Sequence, residues 1–327
     1  MSGVTHSYGL AAAPAVHDLS LQVPAGAITT VLGPSGSGKS TLLALIAGIE
    51  VPRRGQITIG GIDVTRIPAA DRGVTLVMQQ PYLFPNLSVG DNVTFGLAAR
   101  GMPRRERAGH AEQWLERVGL SGMAGRRPRE LSGGEQQRVS LVRGLAIAPT
   151  VLLLDEPLAS LDPQVRESLQ RLLREIVEES GVTTVMVTHD RTEAMAMGDR
   201  TALLEAGALV AEGPSQTLFE RPPTRVAATL LGITTFFTGV ARDGAVATPA
   251  GTFAIDAHEV VGPVTCAIRS EHVRVVSTGG PNTLEIATWN IENFPASPFA
   301  TPAIVADIIA SLDVDIVVTQ EIASETA

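Results

Sequence analysis

The chain has 327 residues, 44% hydrophobic and 18% charged, with a formal net charge of −9, enough for one large domain plus something smaller, or two ordinary domains. The acidic balance argues against a broadly basic nucleic-acid surface, and a single cysteine, Cys266, excludes an internal disulfide framework and a cysteine metal cluster. With no basic-then-apolar leader and no run of about 20 apolar residues, the expectation is a soluble chain whose membrane role is peripheral.

Up to about Gly232, apolar runs bounded by Gly, Pro and acidic residues alternate with helical patterns, which predicts α/β structure with a parallel sheet covered by helices. Ile28–Leu32 reads as a buried strand. It runs into Gly33-Pro34-Ser35-Gly36-Ser37-Gly38-Lys39-Ser40-Thr41 at the start of a helix, the context that a GxxxxGK[ST] phosphate loop requires. Glycines let backbone N–H groups turn inward onto a phosphate, the helix N-terminus adds positive potential, Lys39 reaches the β and γ oxygens, and Ser40 can ligate Mg²⁺. Of the 25 basic side chains only Lys39 is a lysine, and it stands where phosphate chemistry needs one.

Val74–Met78 predicts the next buried strand. Gly101 to Glu130 is Arg-rich, with Trp114, Leu115 and Val118 at helical spacing, and reads as an inserted helical subdomain. Its arginines at 104, 105, 107, 126, 127 and 129 form either a solvated face or a contact with a partner or anionic lipid. Leu131-Ser132-Gly133-Gly134-Glu135 is a capping box. The two glycines also leave bare N–H groups at a helix N-terminus, so a well-started helix and an anion site are both open readings.

Val151–Leu154 ends in Asp155-Glu156, placing two acids at the carboxyl edge of a buried strand, where ligands of α/β sheets lie. Asp155 would hold Mg²⁺ through water, and Glu156 would orient or deprotonate an attacking water. Asp162 as N-cap, Pro163 in the first turn, Val165, Leu169, Leu172 and Ile176 on one face and Gly181 at the end predict a helix. Val182–Thr188 is a further buried strand, ending at His189. After Gly232 the short alternating pieces Thr238–Ala241, Gly251–Ile255, Val264–Arg269 and Val273–Val276 predict a small β module. Gly279-Gly280-Pro281-Asn282 is a turn or linker. Beyond Leu284 a third texture reads strand, loop, helix near Thr301–Ser311, and strand near Asp315–Thr319. There is no internal repeat.

Phosphate loop, Leu-Ser-Gly-Gly-Glu and acidic strand, in this order and spacing, resemble the ATP-binding cassette nucleotide-binding subunit of a transporter, from Tyr8 to about Gly232. The resemblance implies a P-loop NTPase with a RecA-like core and a helical subdomain, using ATP and Mg²⁺. It makes Tyr8 the aromatic that stacks on adenine and Gln79 the glutamine that senses Mg²⁺ and the transmembrane partner. Ser160-Leu161-Asp162 becomes a dimer-facing loop, and His189 the switch histidine at the γ-phosphate. In the family two subunits sandwich two ATPs, so Ser132, Gly133 and Gly134 of one chain face the phosphate loop of the other. That implies a homodimer whose opening drives a permease. Leu83-Phe84-Pro85-Asn86-Leu87-Ser88-Val89 and Ala267-Ile268-Arg269-Ser270-Glu271-His272 further resemble importers of the polyamine, ferric-iron and sugar group. Those carry a regulatory β domain, OB- or TOBE-like, here cut short near Ser277. Permease subunits, a solute-binding protein and a place on the inner face of the cell membrane follow from the resemblance; nucleic acid does not.

Ala287 to Phe294, a helix, and Asp315 to Glu321 resemble the opening of the endonuclease/exonuclease/phosphatase family, with Asn290 and Glu321 as Mg²⁺ ligands. That family needs further Asp, Asn and His residues, and the sequence runs only six residues past Glu321. Two oxygen ligands do not make a hydrolase site, so the expectation is a poorly ordered or adhesive tail without activity. The expected division is therefore 1–232 cassette, 233–278 truncated β module and 279–327 tail. Two rival functions are a soluble cassette ATPase working on nucleic acid or ribosomes, disfavoured by the acidic balance, and a phosphodiesterase, which lacks its catalytic residues.

Overall fold

In a computed structural model the described residues are 1–9, 13–159, 161–248, 251–254, 261–268 and 316–319. The chain opens with β1 (Ser2–His6) and β2 (Val16–Leu19), then β3 (Ile28–Leu32), α1 (Lys39–Ala47), β4 (Arg54–Gln56), β5 (Thr58–Ile59), β6 (Ile62–Asp63) and β7 (Val74–Val77). Helices α2 (Val89–Val93), α3 (Phe95–Ala99), α4 (Arg104–Arg117) and α5 (Gly133–Leu145) follow. Next come β8 (Val151–Asp155), α6 (Pro163–Ser180), β9 (Thr183–Thr188), α7 (Arg191–Met197), β10 (Arg200–Glu205) and β11 (Ala208–Pro214). These elements make the first of two compact units, Met1–Ser215.

Its main sheet has the order β11-β10-β3-β9-β8-β7. All neighbours are parallel except β11, which pairs antiparallel with β10 at the edge. Registers Leu32↔Thr188, Asp155↔Val187 and Val77↔Leu154 align the carboxyl ends of β3, β9, β8 and β7. Whatever follows these strands therefore emerges at one edge. Both faces are covered, which is why the strands lack alternation; β3 is buried at every residue. Val31, Leu153, Val185 and Val187 face one core with Leu42, Leu43, Leu45 and Ile46 of α1. Ile28, Leu152, Leu154 and Met186 face the other with Leu169, Leu173, Ile176 and Val177 of α6. Each such side chain contributes about 1.5–3 kcal/mol by leaving water.

Helix α6 starts and stops as its sequence dictates: Asp162 accepts a bond from Val165 N at 3.1 Å, and Gly181 ends it at φ 63. Its buried stripe is rotated from the expected one, toward Leu173 and Val177, with Val165 and Leu172 only partly buried. A feature that the sequence did not announce closes α1. The buried Arg72 donates to Leu45 O and Ile46 O, carbonyls in the last turn of α1, at 2.8 and 3.0 Å, and to Ile67 O at 2.7 Å. Helices α2, α4 and α5 enclose a third core of Val89, Val93, Leu115, Val118, Leu120, Val139 and Val142. Of the arginines on α4, Arg104 and Arg105 are exposed and Arg107 pairs with Asp91 at 3.7 Å. A three-stranded antiparallel sheet, β2-β1-β4, was not expected.

The second unit, Gln216–Ala327, takes up the chain from within α8 (Ser215–Glu220) and holds α9 (Arg225–Leu230), β12 (Thr235–Arg242), β13 (Ala245–Thr248), β14 (Gly251–Ala254), β15 (Gly262–Ile268) and β16 (Ile316–Thr319). Its sheet has the order β14-β13-β12-β15-β16, antiparallel throughout. The expected pieces at 238–241, 251–255 and 264–269 correspond to β12, β14 and β15; β13 is additional. Strand β16 realises the one expected near Asp315–Thr319 and pairs Val318 with Cys266. Cys266 is buried with Ala241, Val246 and Val264, and burial pushes its thiol up. The expected strand Val273–Val276, the helix near Thr301–Ser311, and Asn290 and Glu321 lie outside the described residues. No helix among the described residues is long and apolar enough to cross a membrane.

Candidate functional site

The loop after β3 needs glycine at two points. A Cβ on Gly33 would lie 2.2 Å from Leu204 O, and one on Gly38 would lie 2.3 Å from Ala15 O. Gly38 also caps α1 at φ 98, a left-handed conformation that only glycine takes without strain. Around this turn Ser35 and Gly36 stay exposed at the rim, while Ser37 is buried and its Oγ has no hydrogen-bond partner. Lys39 is buried and donates to Gly33 O at 2.8 Å and Pro34 O at 2.9 Å. Burial pulls its ammonium below the ordinary lysine value, and the charges of Glu156 and Asp155 oppose that pull. Tyr8 lies 64% exposed beside the loop, its hydroxyl 3.2 Å from Thr41 Oγ1 and its ring edge-on to His6 at 5.1 Å. Free helix amides, a buried ammonium and an orphaned hydroxyl in one cradle fit a phosphate-bearing ligand.

Strand β8 delivers the acids to the same edge. Ser40 Oγ donates to Asp155 Oδ1 at 3.5 Å. Burial raises the Asp155 carboxyl, partly offset by the Ser40 bond and by Lys39. Glu156 turns out of the strand with φ 44, its N–H donating to Val187 O at 3.0 Å. A non-glycine residue held there costs about 1–3 kcal/mol, and such strain collects at functional sites. The Glu156 Oε1 oxygen lies 3.1 Å from His189 Nδ1.

Phosphate loop, Tyr8, Asp155, Glu156 and His189 are thus brought together. Gln79, exposed two residues past β7, stands level with Glu156 by the register Val77↔Leu154. Ser132, Gly133 and Gly134 lie elsewhere. Ser132 and Glu135 form the expected capping box, at 3.3 and 2.7 Å, and those bonds hold the Glu135 carboxyl low. The first turns of α5 rest on the loop after β8, where Gln137 donates to Pro157 O at 2.9 Å. Among the described residues no hydrogen bond joins Ser132–Gly134 to the phosphate loop of the same chain. The Asp162 carboxylate is engaged in capping α6.

Two charged residues behind His189 escaped the sequence reading, Arg166 and Glu193. The acid follows Asp190 by three residues, the spacing of a capping box, but its carboxylate instead accepts the Thr188 hydroxyl, and its Oε1 is buried without a partner. Burial pushes Glu193 up, against the Thr188 bond. A raised carboxyl stabilises the fold below the ordinary value of 4.5 and loses that contribution as pH rises through the folded value. Glu193→Gln, which mimics the neutral acid, is expected to melt with the wild type below the ordinary value of 4.5 and increasingly above it as pH rises. Calorimetric melting curves check this; a gap constant with pH defeats it.

A phosphate loop at the end of a central strand, an acidic strand two places away and an inserted helical layer define a P-loop NTPase of the cassette type. The family profile described as ABC transporter matches residues 16–159. The Fe(3+) ions import ATP-binding protein FbpC 1 of Rhizobium meliloti (strain 1021) is 47% identical over 218 residues, 67% of this chain and 62% of that protein. A protein of the same description from Haemophilus influenzae is 40% identical over 244 residues, 75% of this chain and 74% of its own length. The dimeric ATP-binding cassette MJ0796 bound to ADP and Pi is similar with TM-score 0.60 and 33% identity, over 65% of this chain and 97% of that one. The chain belongs to the ABC transporter family. It spans about three fifths of the length of the Rhizobium relative.

Proposed function

We propose that the chain is the ATP-hydrolysing subunit of an importer of a small solute, working as a homodimer on permease subunits at the inner face of the membrane, with a solute-binding protein delivering the cargo. One observation carries this: the Lys39 cradle and the Glu156–His189 pair stand at the same sheet edge. ATP lies with its phosphates over Gly33–Thr41 and adenine against Tyr8. Bound Mg²⁺ would neutralise charge on the β and γ oxygens. Ser40 Oγ and Asp155 Oδ1, 3.5 Å apart, suit a hard cation that takes its other ligands from water, substrate phosphate and Gln79. Among the described residues no group of three or more His, Cys, Asp or Glu could hold a metal alone, as befits that mode.

Glu156 orients water and accepts its proton. His189 fixes one carboxylate oxygen through Nδ1 and keeps Nε2 for the terminal phosphate. Ser132, Gly133, Gly134 and Asp162 face the second protomer, whose phosphate loop Ser132–Gly134 would complete.

The permease contact falls on the loop past Gln79. Tyr82, Phe84 and Phe95 are 61, 40 and 43% exposed and line a cleft of about 270 Å³ with Val77, Arg143 and Ile147. Arg143 donates to Pro81 O and Tyr82 O at 3.1 and 2.9 Å, and buried Asn92 accepts from Phe84 N at 2.8 Å, so the loop is preformed. An apolar cleft with a few aligned polar groups suits an amphipathic helix end. Residues 1–232 are read as the cassette, 233–278 as a regulatory β module and 279–327 as a stretch resembling the start of the endonuclease/exonuclease/phosphatase family.

The test is to trap tagged Glu156→Gln protein with ATP in native membranes, solubilise gently and identify co-purifying proteins by mass spectrometry. A multi-span membrane protein is expected. Its absence while ATP-dependent dimers still form would move the assignment to a soluble ATPase.

A further inference from the structure

His189 sits in a turn tied on three sides. The Asp190 N–H donates to Thr188 Oγ1 at 3.0 Å, and the Thr188 hydroxyl is itself held by Glu193. Asp190 Oδ1 accepts from Thr192 N and Glu193 N at 2.8 and 3.1 Å, fixing the start of α7. Those bonds are internal to the turn. The third tie leaves it: Asp190 Oδ2 lies 3.7 Å from Arg166 Nη1.

Arg166 stands in the first turns of α6, its N–H on Asp162 O at 2.9 Å. Its Nη2 donates to Leu161 O at 3.1 Å, within the loop that follows Glu156. One planar guanidinium thus spans a backbone carbonyl of that loop and the carboxylate next to His189. The Arg166 and Asp190 side chains are 33% and 38% exposed. A pair so placed adds little to stability, so its part lies in the geometry it fixes between the two segments.

We propose that Arg166 is a positioning residue, a strut through which the loop at Leu161-Asp162 sets His189 against Glu156. This rests on the ATPase reading above.

A double-mutant cycle on the full-length chain tests it: Arg166→Gln, Asp190→Asn and the pair, with Asn retaining a cap for α7. Each single change is expected to lower kcat for MgATP roughly tenfold, with KM within about twofold and the double variant no slower than either single. ATP-dependent dimers, read by gel filtration in the Glu156→Gln background, should persist with Arg166→Gln. Unchanged kcat, additive losses, or a rise in KM alone overturn the strut while wild-type turnover leaves the ATPase reading standing. A wild-type chain that hydrolyses no ATP sinks both.

Discussion

Replacing Glu156 with Gln is expected to slow ATP hydrolysis by about 10²–10⁴-fold, the range a general base supplies, while nucleotide binding stays near the wild-type level. The amide keeps the size of the side chain and an oxygen that can accept from His189 Nδ1, now 3.1 Å from the carboxylate. What it loses is basicity. Binding depends on other groups, Lys39, the loop amides and Tyr8; among the described residues no hydrogen bond joins these to the Glu156 carboxylate. Phosphate release under saturating MgATP, with nucleotide binding measured separately by titration calorimetry, separates the two. If the variant kept more than about a tenth of wild-type turnover, the base would have to be another group.

The second large effect is on binding. Lys39→Met fills the buried stem with a chain of similar length and removes the ammonium that rests on Gly33 O and Pro34 O. A charge-assisted hydrogen bond is worth about 1.5–3 kcal/mol, so losing its bonds to phosphate should weaken ATP at least about 10²-fold. Asp155 and Glu156 would also lose the cation that their charges now favour, which repels an anionic ligand further. The ammonium is desolvated in the native chain, so the melting temperature should move little. Affinity within about tenfold of wild type would show that the loop amides carry the phosphates without it.

Much of this site was legible in the sequence because its parts are local. The phosphate loop, the capping box at Ser132 and the cap at Asp162 are spacing rules within a few residues, and β3, β8 and β9 announce themselves as unbroken apolar runs because both faces of the sheet are covered. What escaped is set by distant pairing. The sheet β2-β1-β4 joins Val4 to Leu19 and Thr5 to Arg54, short and partly exposed strands with no pattern of their own. Strand β16 could be read from Ile316-Val317-Val318-Thr319 and β15 from the run at 264–269, but the pairing of the two across some fifty residues could not. The Arg166 strut joins three chain segments at no fixed spacing, and Glu193 obeys a capping rule in sequence that it sets aside in space. The left-handed φ of Glu156 is likewise written in the turn from β8 to α6 and not in the glutamate. Gln79 was found by resemblance alone, and its exposed side chain takes its meaning from groups outside the chain.

The solitary lysine has an analytical consequence. Because burial favours the neutral amine at Lys39 and every other basic side chain is Arg, an acyl-phosphate analogue of ATP meets a single side-chain amine. Trypsin cuts after Lys39 and next after Arg53. Acylation silences the first cut and fuses residues 1–39 with 40–53. Occupancy of the phosphate cradle is then counted in a mass spectrum as one missed cleavage, and competition by a natural nucleotide restores the two separate peptides.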